Sequence, residues 1–204
     1  MLTAIGDVMR RAYERGWITT RDGNISLRRK NSNILYITPS GWRKTIIHPE
    51  HIIKMKMDHE GALTIPTGQS PSGEIEMHRL LQLGNESTRA VVHLHPTHIV
   101  SAMFAGWDLQ EIAGLFPEVN RYTQVGPTVP TLPATSPALA MKTFESMTDA
   151  TGKAVFDIVG QMQHGVCAIA PDPWAAYEHI ERLDHICEIV LKSSVRPNNV
   201  VKRV

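Results

Sequence analysis

The chain has 204 residues, 42% of them hydrophobic and 20% charged, with a net charge of +1: the composition of an ordinary globule with room for one full core. No basic block stands out beyond Arg28-Arg29-Lys30, so charge does not argue for nucleic-acid binding. No apolar run approaches the roughly 20 residues of a membrane span, no charged-then-apolar signal opens the chain, and Cys167 and Cys187 are too few for a disulfide framework. The expectation is a reduced, cytoplasmic protein that contacts neither membrane nor nucleic acid.

Leu2, Ile5, Met9, Ala12 and Tyr13 recur at helical spacing, and Gly16 suits the stop. Residues 17–20 lead into a turn at Arg21-Asp22-Gly23-Asn24. Residues 25–28 and 34–38 alternate as strands around the turn Asn31-Ser32-Asn33, and Pro39-Ser40-Gly41 breaks the second. Residues 46–65 read as short strands and turns, with Asp58-His59-Glu60-Gly61 as a hairpin loop. A Gly/Ser/Pro loop over 67–73 opens onto a helix over 74–83, closed by Gly84. Met77, Leu80 and Leu81 face inward, and the N-cap is either Ser70 or Ser72. Residues 90–95 form a buried strand ended by Pro96, followed by an apolar helix over 97–105.

Residues 110–134 contain Pro117, Pro127, Pro130 and Pro133 with little periodicity, and read as a long ordered excursion. Ser136-Pro137 caps a helix bearing Ala140, Phe144 and Met147. Apolar strands over 155–159 and 166–169 flank His164-Gly165. Asp172-Pro173 opens the last helix, with Ile180, Leu183, Cys187 and Val190 inward. Strands and helices interleave without an internal repeat, which predicts a single α/β domain over 1–204, with a tail from about residue 193.

Chemistry concentrates at His93-Leu94-His95. Alternation on a strand puts both imidazoles on one face, about 7 Å apart at their bases, so the ring tips can converge on one ion. His164, at a strand end and followed by a glycine that permits a close turn, supplies a third imidazole. Three neutral imidazoles leave an open position on zinc, as a catalytic site needs. His98 lies across Pro96 on the next helix and is left out of the set. Glu74 opens a helix; its carboxylate either suits the helix dipole or completes the metal shell and moves off to carry a proton. His78, one turn on, is either a partner behind that site or a polar residue at a helix edge. Asn24, Ser40-Gly41 and Ser72-Gly73 are polar turns that would cradle a phosphate if they converged. No Gly-x-Gly-x-x-Gly and no P-loop lysine motif supports a nucleotide cofactor.

Gly23-Asn24-Ile25-Ser26, Thr38-Pro39-Ser40-Gly41, Pro71-Ser72-Gly73-Glu74 with Met77-His78, Val92-His93-Leu94-His95-Pro96 and Gln163-His164-Gly165 stand in the order found in the class II aldolase/adducin family, which the chain resembles over about residues 1–190. The resemblance implies a three-layer α/β/α domain with a central, mostly antiparallel sheet. It implies a homotetramer with active sites between subunits, and a divalent ion on His93, His95 and His164: zinc most often, or manganese, cobalt or iron. It makes Glu74 a metal-associated acid/base and puts the substrate phosphate on Asn24, Ser40, Gly41, Ser72 and Gly73. The family's aldolases often carry a serine where Gly73 stands, so a backbone N–H survives here and a hydroxyl does not. Tyr122 matches the tyrosine that a neighbouring subunit offers as proton donor.

The activity implied is aldol cleavage or formation of a C–C bond in a small phosphorylated ketose, through a metal-stabilised enediolate. A dehydratase of the methylthioribulose-phosphate kind, an epimerase and a decarboxylase share the scaffold. The adducin branch, a binding module, has no need of the His93, His95, His164 and Glu74 set, and a bare metal-binding protein has no need of a phosphate cradle.

Overall fold

The protein is described by a computed structural model covering residues 1–83 and 89–194. In chain order the elements are α1 (Leu2–Glu14), β1 (Asn24–Arg28), β2 (Ile34–Ile37), β3 (Ile53–Met57), β4 (Leu63–Thr64), α2 (Ile75–Gln82), β5 (Arg89–Leu94), α3 (Thr97–Phe104), α4 (Leu109–Gly114), α5 (Pro117–Tyr122), α6 (Pro137–Met147), β6 (Ile158–Gln161), β7 (Gly165–Ala170) and α7 (Pro173–Ser193). The strands form one sheet in the order β4-β3-β2-β1-β5-β7-β6, and every neighbouring pair is antiparallel.

The layers follow from alternation along β5. Ala90, Val92 and Leu94 pack with Ile5 and Met9 of α1, Ile99 of α3, and Ile180 and Leu183 of α7. Val91 points the other way, onto Met77 and Leu81 of α2 and Leu139 of α6. The sheet is thus covered on both faces, and a central strand buried on both sides reads as a nearly continuous apolar run. Each fully buried Val or Leu contributes about 1.5–3 kcal/mol. This is the α/β/α arrangement with an antiparallel sheet that the sequence implied.

Two helix starts match their signals. Ser136 Oγ accepts from Leu139 N at 3.1 Å, and Asp172 Oδ1 accepts from Trp174 N and Ala175 N, each just before a proline in the first turn. The hairpin loop at 58–61 is present, with Asp58 Oδ1 accepting from Glu60 N and Ala62 N.

Other expectations need correction. α2 starts at Ile75 with Glu74 at the N-cap position and no side-chain cap, so neither Ser70 nor Ser72 caps it. Ser72 instead closes the preceding turn: its hydroxyl accepts from Glu74 N and its carbonyl from Ile75 N. Gly84 and the tail beyond 194 lie outside the described residues. The excursion at 110–134 contains α4 and α5, with Leu109, Ile112, Ala113 and Val119 buried. The strand expected at 155–159 runs from Ile158 to Gln161. Residues 154 and 155 instead pair back onto the end of α6, through the Thr148–Ala154 bridge and a bond from Val155 N to Met147 O.

Candidate active site

Neighbouring strand ends bring the site together. Asn24 opens β1 and stands opposite His93 near the end of β5. His93 stands opposite Cys167 of β7, whose preceding turn carries His164. That turn is tight: Gln163 takes a left-handed φ of 58°. A Cβ at position 165 would lie 2.4 Å from Leu94 O and 2.6 Å from His95 Cδ2, so only glycine fits there.

His93, His95 and His164 each offer a ligand atom, and these atoms lie within 4.8 Å of one another. The tautomer of His93 is fixed. Its Nδ1–H donates to Val166 O at 2.9 Å, so Nε2 carries the lone pair and faces the cluster. That lone pair lies 2.9 Å from His95 Nε2 and 3.2 Å from Glu74 Oε2. Glu74 Oε1, 3.6 Å from His164 Nε2, is buried and accepts no hydrogen bond. Three ring nitrogens and the two Glu74 oxygens crowd this point, and a cation is the species that relieves such crowding. Burial, and then the neighbouring imidazoles, push His93 and His95 down to about 3, which keeps both rings neutral, the form that binds metal. The donor set fits a divalent ion, with His93, His95, His164 and Glu74 as its holders.

Beside this cluster lies an open pocket of about 180 Å³ whose wall includes Asn24, Ser40, Gly41, Ser72 and Gly73. The loops converge through the backbone: Ser40 N donates to Ser70 O at 2.9 Å and Ser72 N to Thr38 O at 3.2 Å, beside a Pro39–Pro71 bridge. All the residues expected to cradle a phosphate share this pocket with Glu74, His95 and His164. Tyr122 is not on its wall. It is 50% exposed on α5, with the Arg121 and Arg182 guanidinium groups over its ring. His98 is engaged elsewhere, its Nδ1 3.0 Å from Asp184 Oδ2.

Sequence reasoning missed Lys44 on the pocket wall. It is buried, its Nζ donates to Pro39 O at 3.3 Å, and burial pushes it down to about 8. A lone lysine after Trp42-Arg43 carried no signal in one dimension; the bond from Lys44 N to Thr20 O draws it inward. His78 is fully buried, so of the alternatives left open for it, the helix-edge reading fails.

A sequence profile of the family described as "Class II Aldolase and Adducin N-terminal domain" matches residues 3–191. The chain is 28% identical over 177 residues to an L-fuculose phosphate aldolase of Methanococcus maripaludis, covering 87% of this chain and 88% of that one. It is 24% identical over 188 residues to a methylthioribulose-1-phosphate dehydratase of Komagataella phaffii, covering 88% of this chain and 77% of that one. Among solved structures, L-fuculose-1-phosphate aldolase from Thermus thermophilus superposes with a TM-score of 0.72 at 25% identity, covering 94% of this chain and 93% of that one.

Proposed function

The chain belongs to the class II aldolase/adducin family, and from that premise we propose that it is a metal-dependent lyase that cleaves or forms a C–C bond in a small phosphorylated ketose. The observation that carries this reading is the meeting of His93, His95 and His164 with a buried carboxylate oxygen that accepts no hydrogen bond, beside a pocket whose wall includes Asn24, Ser40, Gly41, Ser72 and Gly73. A divalent ion there, zinc by the preference of a three-imidazole set, supplies Lewis-acid polarisation of a substrate carbonyl and its neighbouring hydroxyl.

The protein's own groups do the rest. Asn24, Ser40, Gly41, Ser72 and Gly73 bind the phosphate, and Lys44 adds positive charge beside them. Glu74 holds or moves the proton at the carbon beside the carbonyl, through Oε1. Tyr122, being half-exposed and off its own chain's pocket, serves a neighbouring copy as proton donor in a cytoplasmic homotetramer with sites between subunits.

Dehydration is the second reading, favoured by the likeness to a dehydratase over 188 residues. The same proton removal would then expel a hydroxide. A screen of ketose 1-phosphates with the zinc-loaded protein separates the two. Dihydroxyacetone phosphate among the products is the expected result, and a diketone phosphate would replace the lyase reading with the dehydratase. No turnover of any member of the panel would remove both.

A further inference from the structure

Behind Glu74 runs a buried file of polar side chains, of which only Asn24 reaches the wall of the phosphate pocket. Asn24 Nδ2 donates to Glu74 Oε2 at 2.8 Å. His78 Nε2 lies 2.5 Å from Asn24 Oδ1, and His78 Nδ1 lies 2.7 Å from Ser26 Oγ. Gln82 Nε2 donates to Ser26 Oγ and to Arg89 O, each at 3.1 Å. Asn24, Ser26, His78 and Gln82 are all buried, so water does not substitute for any link.

The direction of every link is determined from both ends. Arg89 O can only accept, so the Gln82 amide must turn its nitrogen toward it and toward Ser26. At the other end, an ionised carboxylate can only accept, so Asn24 must turn its nitrogen toward Glu74 and its oxygen toward His78. An amide oxygen accepts, so His78 must carry its proton on Nε2. Its Nδ1 is then a lone pair, and Ser26 must point its O–H there. The two ends, reasoned separately, meet at Ser26 with no donor facing a donor and no acceptor facing an acceptor.

We propose that Gln82, Ser26, His78 and Asn24 form a one-way hydrogen-bond relay that makes His78 a positioning residue for Glu74. The relay fastens Oε2 and leaves Oε1 as the oxygen turned to the substrate. It rests on the reading of Glu74 as the proton carrier. It also explains why a histidine stands one helical turn after the glutamate: Glu74 is the N-cap of α2 and His78 lies one turn inside it, and β1, running beneath, holds the asparagine and serine that join them.

The first test needs no substrate. In the zinc-loaded protein labelled with ¹⁵N-histidine, the His78 ring, assigned by its loss in His78→Gln, is expected as the Nε2–H tautomer. Ser26→Ala is expected to shift it toward a mixture. A ring protonated at Nδ1 in the unaltered protein overturns the relay.

The second test reads turnover. His78→Leu should lower kcat roughly 10–100-fold, the usual cost of removing a partner behind a metal site, with KM within about twofold and zinc content unchanged. His78→Gln, whose Nε2 reaches the same place, should recover most of the loss. Equal activity in His78→Leu and the unaltered protein, or no recovery in His78→Gln, overturns the proposal. If the unaltered protein turns over no ketose phosphate, the reading of Glu74 falls, and the tautomer alone decides the relay.

Discussion

Glu74 is held by one oxygen and free at the other. Asn24 donates to Oε2, while Oε1 is buried without a hydrogen bond, so a conservative change at this residue separates holding from proton transfer. Glu74→Gln keeps size and polarity but cannot accept a proton at neutral pH. It is expected to retain bound zinc by elemental analysis and to lose at least about 100-fold in kcat, in keeping with the usual contribution of a positioned acid or base. Wild-type turnover in that variant would remove Glu74 from the proton step.

Much of this site was legible in the sequence, because strand alternation and glycine punctuation are one-dimensional signals. They predict His93 and His95 on one face, and they mark His164 by its glycine. What was not legible is the relay: Gln82 carries no motif, nothing in one dimension joins it to Ser26, and their meeting depends on a helix laid across a strand 50 residues away or more.

At the scale of elements, α3 begins immediately after His95-Pro96 and has no cap of its own. Asp184 of α7 supplies one across the core. Its Oδ1 accepts from His98 N and Ile99 N, and its Oδ2 from Trp17 Nε1, with His98 Nδ1 also in reach. Asp184→Ala leaves these buried donors without a partner. A loss of about 3 kcal/mol is expected, seen as a Tm lower by roughly 6–12 °C for a chain of this size. A change under about 2 °C would show that the cap contributes little.

The same scale explains the misread segments. Pro117 marked a break in the sequence, but it sits in the first turn of α5, where its missing N–H costs nothing. β6 was displaced because its last residue, Gln161, is polar yet buried, its amide nitrogen donating to Thr143 Oγ1 at 2.8 Å. A glutamine that finds its partner on α6 leaves no apolar trace to read.

For the whole molecule, the central strands β1, β5 and β7 meet at the end of the sheet where the site lies, so an ion bound by His93, His95 and His164 ties β5 to the β6–β7 turn. A ligand that binds only the folded state stabilises it by about 4 kcal/mol at 1,000 times its Kd. Stripping the ion with a chelator is expected to lower the Tm by several degrees, and adding zinc back should restore it. His93→Ala should show the lowered Tm from the outset and no response to either treatment. An identical Tm with and without chelator would argue that no ion is held there.

The turn that delivers His164 spans only residues 162–164 between β6 and β7, with Gln163 left-handed and Gly165 pressed against Leu94 O. Surface connections ordinarily absorb extra residues without penalty. This one has no slack, because a single inserted residue would swing the third imidazole away while the strands on either side kept their pairing. Lengthening here would break up the three-imidazole cluster while leaving the sheet paired, which makes this short hairpin a place where drift in length is not tolerated.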